Sequence, residues 1–178
     1  MTQWLESALI VVPFPEAFYK FTRRLLHFTG PPEIFDRIVI ATMKLTTTDS
    51  PDQRDEGFIA ARVREYNHSF VPKDVRKLCV FARDTQGSTV GGLTGKTFWK
   101  YLEVSFLWVS EEHRGSGCAS RLIAEAEAEA HARGCMYSIL DTFSFQAPGF
   151  YLKQGYREFG HLYGFAGEYD RHYMQKEL

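Results

Sequence analysis

Residues 104–133 read VSFLWVSEEHRGSGCASRLIAEAEAEAHAR, and the fold turns on them. Residues 104–109 are a largely apolar run, β-branched and aromatic apart from Ser105 and Leu107, short enough for a buried strand. The chain then turns through Ser110-Glu111-Glu112-His113-Arg114-Gly115-Ser116-Gly117. Beyond the turn, Ala119, Leu122, Ile123, Ala126 and Ala130 recur at helical spacing and give one apolar side. Gly134 follows that pattern and ends it, as glycine commonly does just past a helix C-terminus.

A strand that passes through a glycine-rich turn into a helix suits a pyrophosphate. The first turn of a helix has N–H groups with no intrahelical partner, and the helix dipole adds positive potential there. Gly115 and Gly117 carry no Cβ, so phosphate oxygens can approach the backbone, and Arg114 adds charged donors. A tight turn of no chemical significance can be written with the same glycines. The order Arg114-x-x-Gly117-x-Ala119 separates the two readings, because it resembles the R/Q-x-x-G-x-G/A signature of the GNAT superfamily of acetyl-CoA-dependent N-acyltransferases.

A second stretch carries the same resemblance. Residues 144–156, SFQAPGFYLKQGY, are similar to the GNAT pattern N-x-x-A-x-x-x-Y-x-x-x-G-F/Y, with Ala147, Tyr151, Gly155 and Tyr156 at matching positions. Ser144 stands where the pattern has Asn. A hydroxyl can still cap a helix there, while one hydrogen bond to the pantetheine arm is put in doubt.

The resemblance implies an α/β (α+β) fold: a mixed central sheet with helices on both faces and a splayed cofactor cleft. Strands are expected at residues 44–48, 78–83, 89–99, around 103–109, at 136–141, 156–163 and 172–176. Helices are expected at 53–68, from the turn to 133, and at 146–154. Phe58, Ile59, Val63 and Tyr66 are the inward side of the first helix, which Asp52 caps and which has Asp55 and Glu56 in its first turn. Residues 84–88 read as a hairpin turn, Gly91-Gly92 as a bulge or a close approach, and residues 164–167 as a glycine-rich loop.

The chain divides into an extension, residues 1–42, and a catalytic domain, residues 43–178. Residues 4–12 and 16–28 could each form a short amphipathic helix, for packing on the domain, on a sister subunit or on a membrane surface. Met43-Lys44-Leu45-Thr46-Thr47-Thr48 also reads like the natural start of a GNAT domain, which would make residues 1–42 an upstream extension. Edge strands permit the homodimer that many GNAT domains form.

Composition narrows the function classes. A net charge of −1 gives no field for nucleic acid or an anionic membrane. Cys79, Cys118 and Cys135 form no paired framework and read as reduced thiols of a cytoplasmic protein. Cys118 is either a thiol whose ionised form the helix N-terminus favours or a small residue filling the turn. The six histidines, His27, His68, His113, His131, His161 and His172, show no HxxxH or HExxH spacing, so no metal is expected.

Acetyl transfer to an amine needs a neutral amine, and at pH 7 neutralising an alkyl ammonium of pKa about 10.4 costs roughly 4.6 kcal/mol. The resemblance points to Glu103 as the base, directly or through water; a solvated strand edge is the plain alternative. It points to Tyr151 as the group that protonates or hydrogen-bonds the leaving sulfur, against a simple core aromatic. It places the pantetheine arm along Leu107, Trp108 and Val109, with an oxyanion-binding N–H near Val109. It places the pyrophosphate on His113, Arg114, Gly115, Ser116, Gly117, Cys118, Ala119 and Ser120, with Ser144, Ala147 and Tyr151 completing the acetyl-CoA site. Asp141 could pair with the substrate ammonium or cap the turn at residues 142–144. Phe98, Trp99, Tyr101, Phe143 and Phe145 are candidate walls for a small amine, the acceptor class favoured over a peptide or protein amine because no long acidic run is present. A non-catalytic acyl-CoA-binding module is the rival reading.

Overall fold

A computed structural model describes residues 44–178. The expectations for residues 1–42 and for the Met43 start lie outside the described residues. The chain falls into two compact units, Met1–Phe70 and Val71–Leu178.

The described part of the first unit holds one helix, α1 (Gln53–His68). The Asp52 side chain caps it by accepting the Arg54 N–H at 2.8 Å, and Asp55 and Glu56 occupy the first turn, as the sequence indicates. No residue of α1 is buried, and Phe58 and Ile59 are both 64% exposed, so the expected inward side is corrected. Residues 44–48 form no strand. Three successive threonines have β propensity, but a strand exists only when its backbone is paired, and this segment is exposed throughout.

The second unit is a mixed open sheet. Its strands are β1 (Arg76–Arg83), β2 (Thr89–Phe98), β3 (Tyr101–Val109), β4 (Tyr137–Phe143), β5 (Arg157–Ala166) and β6 (Tyr169–Glu177). Between them lie helices α2 (Cys118–Ala132) and α3 (Pro148–Lys153). The sheet order is β1-β2-β3-β4-β6-β5. Only the central β3–β4 pair is parallel. Leu122, Ile123, Ala126 and Ala130 of α2 are buried with Leu78, Leu93, Leu102, Val104, Val109, Leu140 and Met174 of the strands. Tyr151 of α3 and Tyr156 join the same cluster, so α2 and α3 share one face of the sheet.

Several boundaries move. α3 begins at Pro148 rather than 146, because Gln146 is used in the preceding turn, where its Oε1 accepts the Phe143 N–H at 2.9 Å. β5 runs through the expected glycine loop to Ala166. Gly91 and Gly92 are sites of close approach, a Cβ on Gly91 sitting 3.2 Å from the Trp108 carbonyl oxygen, and the β1–β2 register shifts beside Gly91, where Ala82 pairs with Gly91 but Arg83 with Thr89. The β2–β3 bulge lies further on, where Thr94 pairs with Phe106 but Gly95 pairs with Val104, leaving Ser105 as the extra residue. The hairpin tip between β2 and β3 puts Trp99 at φ 52°, and the Asp74 carboxylate accepts its N–H at 2.9 and 3.0 Å.

Candidate active site

β3 and β4 run together for three residue pairs and then part. The register is Tyr101↔Tyr137, Leu102↔Ser138 and Glu103↔Ile139, with no pairing beyond. From Val104 to Val109, β3 is bonded to β2 on one side and open on the other. Helix α2, through Leu122, Ile123, Ala126 and Ala130, packs on one face of the sheet. The bulge at Ser105 lies one pair beyond the fork, and bulges bend the strand that carries them. The result is a V-shaped opening at the sheet centre, with backbone donors and acceptors along its β3 edge.

Glu103 is the last β3 residue before the fork. It is 8% exposed, on the sheet face opposite α2, so it is not a solvated strand edge. Its Oε2 lies 3.7 Å from Nζ of Lys96, the residue directly across the β2–β3 pair. That ammonium keeps a positive charge beside the carboxylate. Two residues beyond the fork on β4, the same face carries Asp141. Asp141 Oδ2 receives hydrogen bonds from Arg171 Nε at 2.8 Å and Nη2 at 2.7 Å. Its partner within the chain is an internal guanidinium, and the turn at residues 142–144 is closed by Gln146 rather than by Asp141. Arg171 is itself seated among the rings of Phe143, Phe165 and Tyr173, 5.1–5.6 Å from their centroids.

Tyr151 is 9% exposed and packs edge-on against Phe150 and Tyr156. Burial, with a smaller contribution from the Asp141 carboxylate, pushes its phenol up to about 12. It therefore holds its proton throughout the neutral range. Burial also raises Tyr156, whose hydroxyl lies 2.6 Å from Ser138 Oγ. Raised phenol pKa values mean that the folded state keeps protons the unfolded chain would lose. The stability this represents is whole below about pH 10, the ordinary tyrosine value, and is lost as pH rises toward 12. Tyr151→Phe is expected to make the loss of stability between pH 10 and 12 shallower than in the unaltered chain. Thermal unfolding of both proteins across that range checks it; equal slopes would mean that Tyr151 is not the buried phenol described.

At the far end of β3 the chain makes a single 3₁₀ turn, Glu111–His113, and then enters α2. Ser110 Oγ and His113 Nδ1 lie 2.8 Å apart, and the Ser116 hydroxyl donates to the His113 carbonyl at 2.6 Å. Arg114 Nε donates to the Val109 carbonyl at 3.2 Å, tying the turn to the strand end. Gly115 and Gly117 have φ of 73° and 84°, and a Cβ at either would meet nothing within 4 Å. Their role is backbone conformation and open space above it. Gly117 is the N-cap of α2 with no side chain capping it, and no acidic residue stands in the first turn. The first hydrogen bond of the helix runs from the Arg121 N–H to the Gly117 carbonyl, leaving the N–H groups before it turned outward. These features fit an anionic pyrophosphate. Cys118 and Ala119 pack their side chains toward the core, Cys118 against Gly91, so they offer backbone only and the filler reading of Cys118 stands.

Ser144 and Ala147 are placed differently from expectation. The N-cap of α3 is Ala147, with Pro148 in the first helical turn. Ser144 caps nothing: its Oγ accepts the Asp170 N–H at 3.1 Å, and its own N–H donates to the Asp170 carbonyl at 3.0 Å. The candidate aromatic walls do not form one surface. Phe98, Trp99 and Tyr101 sit where β3 begins, while Phe143 and Phe145, stacked at 5.2 Å, sit where β4 ends. Phe145 also meets Tyr169 edge-on at 4.9 Å. Lys96, Arg171 and Tyr169 were not singled out in the sequence; each reaches the site through cross-strand register, which no local pattern reveals.

A sheet forked beside an open helix N-terminus defines a class of acyl-transfer folds, and the chain belongs to the acetyltransferase (GNAT) family, whose pattern residues 41–156 match. Blasticidin-S acetyltransferase of Streptomyces morookaense is 42% identical over 99 residues, covering 55% of this chain and 73% of that protein. An acetyltransferase of Agrobacterium fabrum is 36% identical over 121 residues, covering 67% of this chain and 88% of that protein. The crystal structure of an acetyltransferase from Bacillus cereus superposes with a TM-score of 0.70 at 32% identity, over 76% of this chain and all of the other. The protein is accordingly an acyltransferase enzyme, and the six-stranded open sheet is the fold expected of one. Among the described residues no helix is long and apolar enough to cross a membrane.

Proposed function

We propose that the protein transfers the acetyl group of acetyl-CoA to a primary amine of a small molecule. The observation that carries this reading is the end of β3–β4 pairing at Glu103, which opens a strand edge beside a buried carboxylate. When bound, acetyl-CoA supplies an activated acetyl thioester. Arg114 and the N–H groups of residues 115–120 would hold its pyrophosphate, and the open edge of Leu107, Trp108 and Val109 would pair with its pantetheine arm as an added strand does. His113, folded over the turn by Ser110, would close one side of it.

Glu103 takes the proton that the acceptor ammonium must lose, directly or through water. The nitrogen lone pair so freed forms the new bond to the acetyl carbon as the carbon–sulfur bond breaks, and the second proton that the acylated nitrogen must lose passes to the departing thiolate, which leaves as the thiol. A backbone N–H near Val109 meets the charge that develops on the acetyl oxygen. Tyr151 meets the sulfur. A phenol near 12 is about 3.5 units weaker as an acid than an ordinary thiol, so full transfer of its proton would run uphill by roughly 5 kcal/mol. Tyr151 thus acts by donating a hydrogen bond to the departing thiolate and retaining its proton. Ser144, with its hydroxyl already engaged by Asp170, and Ala147 would border the arm without a charged contact.

The small-molecule acceptor is supported by the blasticidin-S enzyme among the relatives and by the cluster of aromatic rings formed by Phe143, Phe145 and Tyr169. The test is thermal unfolding with and without acetyl-CoA, followed by thiol release over a panel of small amines and lysine peptides. At 100 times its dissociation constant the cofactor is expected to stabilise the fold by about 2.7 kcal/mol. No shift would remove the cofactor reading. A shift with no thiol release from any amine would favour a non-catalytic acyl-CoA-binding module, and release from peptides alone would replace the small-molecule acceptor.

A further inference from the structure

The β5–β6 ladder breaks register between Glu158, which pairs with Met174, and Gly160, which pairs with Tyr173. Phe159 is the extra residue. In an unbroken strand residues 158 and 161 point to opposite faces. The bulge shifts the phase by one and brings Glu158 and His161 to the same side, where His172 stands directly opposite His161. One donor atom from each of Glu158, His161 and His172 lies within 4.8 Å of the other two.

The arrangement around these three is ordered. Glu158 Oε1 lies 2.9 Å from His161 Nδ1, and Oε2 lies 2.7 Å from His172 Nδ1, so the carboxylate spans two imidazoles through the same ring atom. The other nitrogen of His161, Nε2, is 2.9 Å from Asp170 Oδ2. A carboxylate on the far ring nitrogen fixes tautomer and orientation and raises ligand basicity, as it does behind metal-bound histidines. Tyr163 stacks on the His161 ring at 4.1 Å and limits its rotation. Asp170 is in turn held by the Gly164 N–H at 2.8 Å and through its backbone by Ser144. The histidine side chains are 20% and 14% exposed, whereas Glu158 is 39% exposed and opens the cluster to solvent.

We propose that Glu158, His161 and His172 form a binding site for a divalent transition metal of the Zn²⁺ or Co²⁺ type. Two imidazoles and one carboxylate are a donor set suited to these ions, with a fourth position left for water. Ligands about 2.0–2.1 Å from a tetrahedral ion stand roughly 3.3 Å apart, so on binding Glu158 withdraws from its hydrogen-bonded positions by about half an ångström, while the widest pair of donor atoms, now within 4.8 Å, closes by up to about 1.5 Å. That carboxylate is the most exposed of the three and the freest to move. His161 gives up its Nδ1 proton to solvent as Nδ1 takes the metal, and Nε2–H remains on Asp170. His172 likewise ligates through Nδ1, with its ring proton carried on Nε2 instead. The ion would pin β5 to β6 where the bulge interrupts their ladder.

The test uses the full chain, treated with a chelator and then titrated with Zn²⁺ by calorimetry and with Co²⁺ by visible absorption. One equivalent of each is expected, with the visible bands of tetrahedral Co²⁺. His161→Gln and His172→Gln are each expected to weaken binding at least tenfold, whereas His131→Gln, on the exposed side of α2, leaves it unchanged. Glu158→Gln provides a third variant that keeps shape and removes charge, so misfolding of a histidine variant does not leave the question open. Absence of stoichiometric binding in the unaltered chain, or binding that survives all three substitutions, overturns the proposal.

Discussion

Glu103→Gln is expected to lower turnover by about 10²–10⁴, the range a positioned general base supplies, while leaving the thermal shift with acetyl-CoA nearly unchanged. The two readouts separate because Glu103 stands at the foot of the fork and the glycine-rich turn at the far end of β3. The sign with pH is also fixed. Without the base, the rate depends on the fraction of acceptor already neutral, so it should rise about tenfold per pH unit toward the amine's own pKa near 10.4. The unaltered enzyme levels off earlier. Lys96 is partly exposed, and water can meet the ammonium when the carboxylate is gone, so the variant should fold. Turnover and pH profile equal to those of the unaltered protein would show that the proton leaves by another route. Tyr151→Phe should cost less, about 10², because it removes one hydrogen bond to the departing sulfur and no proton acceptor.

Gly95→Val is expected to destabilise the fold by about 3 kcal/mol or more, a loss of roughly 6–12 °C in unfolding temperature for a domain of this size. A Cβ at Gly95 runs into the carbonyl oxygen of Glu103, which is backbone and cannot swing aside. Glycine there is what allows Gly95 to lie against Val104 with Ser105 bulged out. Alanine meets the same oxygen, so Gly95→Ala should already be clearly destabilised. Gly115→Ala is the informative contrast. It adds a Cβ to open space, and only the left-handed φ of 73° is charged against it, about 1–2 kcal/mol. Chemical denaturation of the three variants settles the order, and a Gly95→Ala protein as stable as the parent would show that the bulge is not packed as described.

The parts of this fold legible in the sequence are those written locally. The β3–turn–α2 unit carries its strand, glycines and apolar helical side in one continuous stretch, and Leu122, Ile123, Ala126 and Ala130 are all buried as the spacing requires. Tyr151 and Tyr156 likewise follow from a single motif and share the core. What could not be read is set by register across strands. Asp141 meets Arg171 thirty residues away because the two strands align there. Glu158, His161 and His172 show no ligand spacing along the chain, and the sequence-based expectation of no metal came from that; a one-residue bulge and a cross-strand pair bring them together. Residues 44–48 fail in the other direction, because β propensity is realised only against a neighbour.

The fork at Glu103 has a consequence for how the sheet is assembled. β1, β2 and β3 are joined by hairpins, and β5 and β6 by another, so most antiparallel pairing closes short loops at low entropic cost. The parallel seam is different: it needs the whole of α2 to cross over, and only three residue pairs reward it. The two halves of the sheet are therefore zipped within themselves and merely buttoned to each other, with the core under α2 as the main fastening. The cleft proposed to receive substrates is this least-fastened line, and a guest lying along the open β3 edge would act as a late stitch in the protein's own architecture.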